Sequence, residues 1–66
     1  GMGLKIALNE EISRMKGVIE KNKTSFPELN ERVDSLHEML ESFSRKPIDD
    51  KMLFKVMKTQ EFCKEL

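Results

Sequence analysis

His37 and Cys63 are the side chains of this sequence best suited to chemistry near neutral pH, and each type occurs once. An imidazole that moves protons or holds a metal needs company, either a second base, an acid across a cleft, or further ligands at metal spacing. His37 has Glu41 one helical turn further on, the spacing of an ion pair or hydrogen bond, and no Cys or second His at ligand spacing. It reads as a surface histidine flanking an apolar seam. Cys63 falls on an apolar helical face with no adjacent base, where a free thiol behaves as a small inert hydrophobe. The neighbouring acids Glu10-Glu11 and Asp49-Asp50 diverge around a helix, so helix-start charges complementing the dipole are expected before a general acid and base. No glycine-rich phosphate loop is present. No catalytic, cofactor-binding or metal site is expected, and the chain is expected not to be an enzyme.

The elements that carry these residues follow from apolar periodicity. In Phe26 to Phe43 the residues Phe26, Leu29, Val33, Leu36, Leu40 and Phe43 recur at alternating intervals of three and four, which is a helix with one apolar seam. Upstream, Leu4, Leu8, Ile12, Met15 and Ile19 form a stripe widened by Val18, predicting a helix from near Leu4 to near Asn22. Gly17 lies opposite that stripe and reads as a tolerated surface glycine, while Ile6 points away from it, either frayed with the terminus or covered. Gly1 before Met2 reads as a scar of tag removal, and residues 1–3 as scar and frayed end. Downstream, Met52, Val56, Cys63 and Leu66, with Leu53 and Met57 alongside, make a broad apolar face on a third helix. Thr59 sits within it, as a buried Thr bonding back to a carbonyl or as the cap of a separate helix from Gln60 to Leu66.

The junctions carry their own signals. Asn22 is placed to take the left-handed conformation that closes the first helix, and Ser25-Phe26-Pro27-Glu28 has capping-box spacing with Pro in the first turn. Ser44-Arg45-Lys46-Pro47 closes the second helix, and Asp49 or Asp50 caps the third. Short links force neighbouring helices antiparallel. The expected fold is therefore all-α, an antiparallel three-helix bundle with the third helix open to a break near Thr59, forming one domain over residues 1–66.

Composition narrows the function classes. Twelve basic and twelve acidic residues cancel, with a balance of +2 over residues 1–24, −4 over 25–44 and +2 over 45–66. This favours side-by-side packing of the helices and offers no concentrated basic field, so nucleic acid is not expected as a partner. No apolar run approaches the roughly 18 residues of a membrane span. One unpaired Cys in a short chain suits an intracellular home, cytoplasm or nucleus, where the sequon Asn22-Lys23-Thr24 carries no meaning. The five Met residues give an adaptable core.

Two aromatic residues do not fit the third helix's face. Phe54 projects among Lys58, Glu61 and Glu65, and Phe62 between Lys51 and Lys55. Either they meet something outside the chain, or a break at Thr59 turns Phe62 inward and the N-terminal residues cover Phe54.

Leu36-His37-Glu38-Met39-Leu40, Pro47-Ile48-Asp49, Leu53, and Thr59 with Phe62 and Leu66 resemble the N-terminal helical domain of transcription elongation factor S-II. That module is shared with Elongin A, a Mediator subunit and the integrase-binding domain of lens-epithelium-derived growth factor. The family's closing basic residues and final helix would fall beyond Leu66, so the resemblance is to a version truncated at its C-terminus. It implies a short helix starting at Thr59 and non-catalytic binding of short peptide motifs from transcription regulators. The first two helices also look like the hairpin phosphatases of sporulation response regulators, with Val33-Asp34-Ser35-Leu36-His37 at the place of the Ser-Gln-Glu-Leu-Asp motif, where only the Leu matches.

The expected function is a protein-interaction module or small adaptor that receives a helix or short motif in an apolar groove, with Phe26, Phe54 and Met57 as its partner-binding residues. The alternatives are a regulator acting on a response-regulator phosphoprotein or a nucleoid-associated protein, and a chain that self-associates as a homodimer.

Overall fold

A computed structural model gives the structure of residues 2–66; Gly1, read from the sequence as a scar of tag removal, lies outside the described residues. Three helices run up, down and up: α1 (Met2–Asn22), α2 (Asn30–Arg45) and α3 (Asp50–Lys64), with a 3-10 turn over Pro27–Leu29 ahead of α2. No strand occurs among the described residues. Cross-helix pairs fix the register. Lys16 meets His37, Gln60 meets Glu11, and Arg32 meets Phe62, so α3 runs antiparallel to α2 and parallel to α1. The bundle measures 38 × 20 × 18 Å, its long axis exceeding the roughly 32 Å that α1 alone spans at about 1.5 Å per residue.

Each helix contributes one narrow stripe to the core. Ile12, Met15 and Ile19 of α1 are fully buried, Leu36 and Phe43 of α2 stack in line with Leu29, and Met52, Val56 and Thr59 come from α3. Leu8, Val33, Met39, Leu40, Phe62 and Cys63 are partly buried around them. The α2 seam is thus narrower than its sequence pattern, because Leu29, Leu36 and Phe43 recur every seven residues and take the inward line. Leu4 falls outside the core at 52% exposed. Eight residues on from His37 is Arg45, the end of α2, and eight back from Lys16 is Leu8, so Leu4 projects past the neighbour that would cover it. Ile6 is exposed on a helix already formed from Met2, neither frayed nor covered, and Leu66 is exposed beyond the end of α3.

The junctions depart from the sequence signals in two places. Asn22 does not adopt the left-handed conformation, since no non-glycine residue among those described has positive φ. Instead its carbonyl accepts from the N–H groups of Ser25 and Phe26, and its side chain donates to the Val18 carbonyl at 2.8 Å. The expected capping box at Ser25 to Glu28 does not form. Phe26 has neither helical nor extended backbone, with φ −132° and ψ 84°, Pro27 opens a 3-10 turn, and α2 begins at Asn30 with no side-chain cap on either turn or helix. At the other junction Lys46 is extended, as the residue before a proline is pushed to be. Asp49 then caps α3, its Oδ1 accepting from the Met52 N–H at 2.8 Å.

α3 is one helix. Thr59 is buried and its hydroxyl donates to the Lys55 carbonyl at 2.8 Å, so the helix runs through the position where a second helix would have started. Phe62 turns toward α2 without a break, because α2 approaches on that side and the Arg32 guanidinium covers its ring at 4.0 Å.

Two substitutions test this packing. A Cβ at Gly17 would meet nothing within 4 Å, so Gly17→Ala is expected to raise stability by about 0.5–1 kcal/mol in urea denaturation. Phe43→Ala empties the most buried large site and should cost about 3–5 kcal/mol, most of what a core this small supplies, leaving a chain with largely lost helical circular dichroism at 25 °C.

Candidate functional site

The residues with chemical potential are spent on structure. His37 is exposed on α2, its Nδ1 3.3 Å from Lys16 Nζ and its Nε2 4.0 Å from Glu41 Oε1. An ammonium only donates, so this contact selects the neutral tautomer in which Nδ1 accepts and Nε2 carries the hydrogen, toward the carboxylate. The Glu41 contact was legible in the i, i+4 spacing; the Lys16 contact, across to α1, was not. Cys63 is half-buried, and that burial pushes its thiol up, against the pull of Arg14, which leaves it protonated at neutral pH.

Glu11 is the surprise among the paired acids. Because α1 already starts at Met2, Glu11 is mid-helix and not a helix-start charge. Its carboxylate accepts from Arg14 through Nε at 2.6 Å and Nη2 at 3.0 Å, and from Gln60 Nε2 of α3 at 2.6 Å. These bonds, Arg14 first and Gln60 second, hold its pKa down from 4.5 to about 2. The Glu-x-x-Arg spacing was a readable signal for the first partner. Gln60, 49 residues away, was not readable.

The concave surface lies between α2 and α3. A furrow of about 380 Å³ has Met39 and Met52 at its floor, with Arg32, Ser35 and Glu38 along the α2 side and Phe54, Lys55 and Lys58 along the α3 side. Phe54 is 59% exposed at its rim, with Lys58 Nζ 5.4 Å from the ring centre, so nothing from the N-terminus covers it. Met57, 62% exposed, joins Phe54 in a smaller hollow of about 250 Å³ on the outer face of α3. Phe26 is 49% exposed in the link before α2, at the end where α1 finishes, whereas Phe54 lies in the N-terminal half of the parallel α3. The structure therefore brings Phe54 and Met57 together and leaves Phe26 apart.

The charge pattern did not produce ion pairs between helices. The contacts found among the described residues, Arg14–Glu11, Lys64–Glu61 and His37–Glu41, the last an ion pair only when the imidazole is protonated, each lie within one helix. Arg32, Lys55 and Lys58 belong to none of them.

No protein-family model, curated protein or solved structure matches this chain. Among the described residues no helix is long and apolar enough to cross a membrane.

The Glu11 contacts set a pH dependence. A carboxylate whose folded pKa lies near 2 stabilises fully above its ordinary 4.5 and progressively less as pH falls to about 2. The urea midpoint should therefore exceed that of Glu11→Gln by a constant margin at about pH 6 and above, and the margin should shrink through that acid window. An unchanged margin down to about pH 2 would show that the carboxylate charge is not what joins Arg14 and Gln60.

Proposed function

We propose that this chain is a non-catalytic protein-interaction module, an adaptor that takes an apolar anchor of a protein partner into the furrow between α2 and α3. The observation that carries the reading is the exposure of Phe54 and Met57 side by side on a helix whose inward line, Met52, Val56 and Thr59, is already buried. An apolar ring held in water at the rim of a furrow floored by two methionines is of the kind that partner anchors cover. Recognition is of the helix-in-groove or motif-in-groove type, with the module's rigid helices supplying shape and its flexible Met side chains adapting to the anchor. The resemblance to the elongation factor S-II domain points to transcription regulators as partners, but the unbroken α3 lacks the short helix from Thr59 that it implies; the unpaired Cys63 suits a reducing, intracellular compartment.

Removing the exposed ring separates binding from folding. Phe54→Ala is expected to change stability by no more than about 0.5 kcal/mol, since surface substitutions rarely do more. It should weaken a purified partner by about 2 kcal/mol, the loss typical of an interface anchor, with Met57→Ala losing less. Phe54→Ala that unfolds the chain would make Phe54 a core residue and end the proposal. Sedimentation of the chain alone addresses the other occupant: a dimer abolished by Phe54→Ala would assign this surface to self-association.

A further inference from the structure

We infer that the occupant of the furrow between α2 and α3 is an acidic amphipathic helix, one whose apolar stripe is bordered by carboxylates a single turn apart. The inference rests on reading the furrow as a docking site and adds the chemistry of its partner. Residues 25–44 carry a net charge of −4, yet the furrow that their helix borders is lined by three cations, Arg32, Lys55 and Lys58, against one carboxylate, Glu38. A neutral chain has thus collected positive charge around the furrow between α2 and α3 while turning most of the acids of α2 elsewhere.

Those cations are available. None takes part in an ion pair found among the described residues. Arg32 Cζ lies over the Phe62 ring at 4.0 Å, a contact that consumes none of the guanidinium's N–H donors in a hydrogen bond. Lys58 stands by the Phe54 ring, which holds its ammonium beside the rim where an apolar anchor would enter.

Spacing supplies the geometry. Lys55 and Lys58 are three residues apart on α3, so they present their charges about one helical turn apart along the furrow wall. A helix lying in the furrow would match them with acids at i and i+3 or i+4, and would bury its apolar stripe on Met39 and Met52 between. The lining residues run from Arg32 to Ser42 on α2 and from Met52 to Thr59 on α3, so a third helix can lie along both walls for about two turns. Charge pairs at the border of an apolar floor are less screened than pairs in open water, so they select between partners of equal hydrophobicity.

The test uses three synthetic peptides of about 18 residues with one apolar stripe and with Glu, Gln or Lys at the bordering positions, titrated against the full chain by fluorescence anisotropy. The Glu peptide is expected to bind at least about tenfold more tightly than the Gln peptide, and to weaken as salt rises. The double variant Lys55→Glu with Lys58→Glu, its fold checked by thermal melting, should lose that advantage and prefer the Lys peptide. Equal binding of the Glu and Gln peptides overturns the acidic partner while the docking furrow stands. Binding of none of the three overturns the docking reading itself. A duplex oligonucleotide that binds more tightly than the Glu peptide, and loses binding in the same double variant, overturns the inference by assigning these cations to phosphate.

Discussion

One narrow apolar line on α2 has to serve two neighbours. Leu29, Leu36 and Phe43 recur every seven residues, and a stripe of that width seats one helix closely. α1 takes it, with Ile12, Met15 and Ile19 fully buried against it. α3 then completes the core from the side through Met52, Val56 and Thr59, and its opposite shoulder stands off from α2. The furrow is the space left over, and its floor is the pair of methionines whose shape adapts to an incomplete fit.

Holding α3 in that position falls to a few specific contacts. Asp49 fixes its start, Gln60 ties its middle to Glu11 of α1, and Arg32 of α2 lies over Phe62 near its end. Gln60 and Phe62 lie two residues apart and bond in opposite directions, one to each neighbour, so they set the rotation of α3 about its own axis. That rotation decides which residues are left over. With Met52, Val56 and Thr59 turned inward, Phe54 and Met57 have no helix of this chain to face.

Periodicity carried the fold because each helix repeats its apolar residues often enough for the inward face to be unambiguous. The junctions were harder, since short polar residues serve several purposes. Asp49 capped its helix as expected, whereas Ser25 could not, because the non-helical backbone of Phe26 and the 3-10 turn at Pro27 put α2 four residues further on than the capping box requires. Thr59 was ambiguous for the same reason: one hydroxyl can cap a new helix or bond back into an existing one, and only burial between the neighbours of Val56 favours the second. The misfit of Phe54 was readable from a helical wheel, and the furrow beside it was not. A furrow depends on how far two helices stand apart, which no single-helix pattern encodes. The Glu11 to Gln60 bond was hidden likewise by 49 intervening residues.

Electrostatics and packing divide the work by distance. Every charge contact found among the described residues links positions three or four apart on one helix, where pairing needs no tertiary precision. Contacts across helices fall instead to neutral or directional partners, an amide, an imidazole and a guanidinium over a ring. A small bundle benefits from this arrangement. Its core energy is low, so burying a cross-helix ion pair would risk a desolvation cost comparable to its whole stability. The same economy leaves Arg32, Lys55 and Lys58 at the furrow without internal carboxylates. Any ligand that binds across both walls there favours the assembled position of α3 over the unfolded chain, and so adds stability by mass action to the helix that packs less extensively on its neighbours than α1 and α2 do on each other.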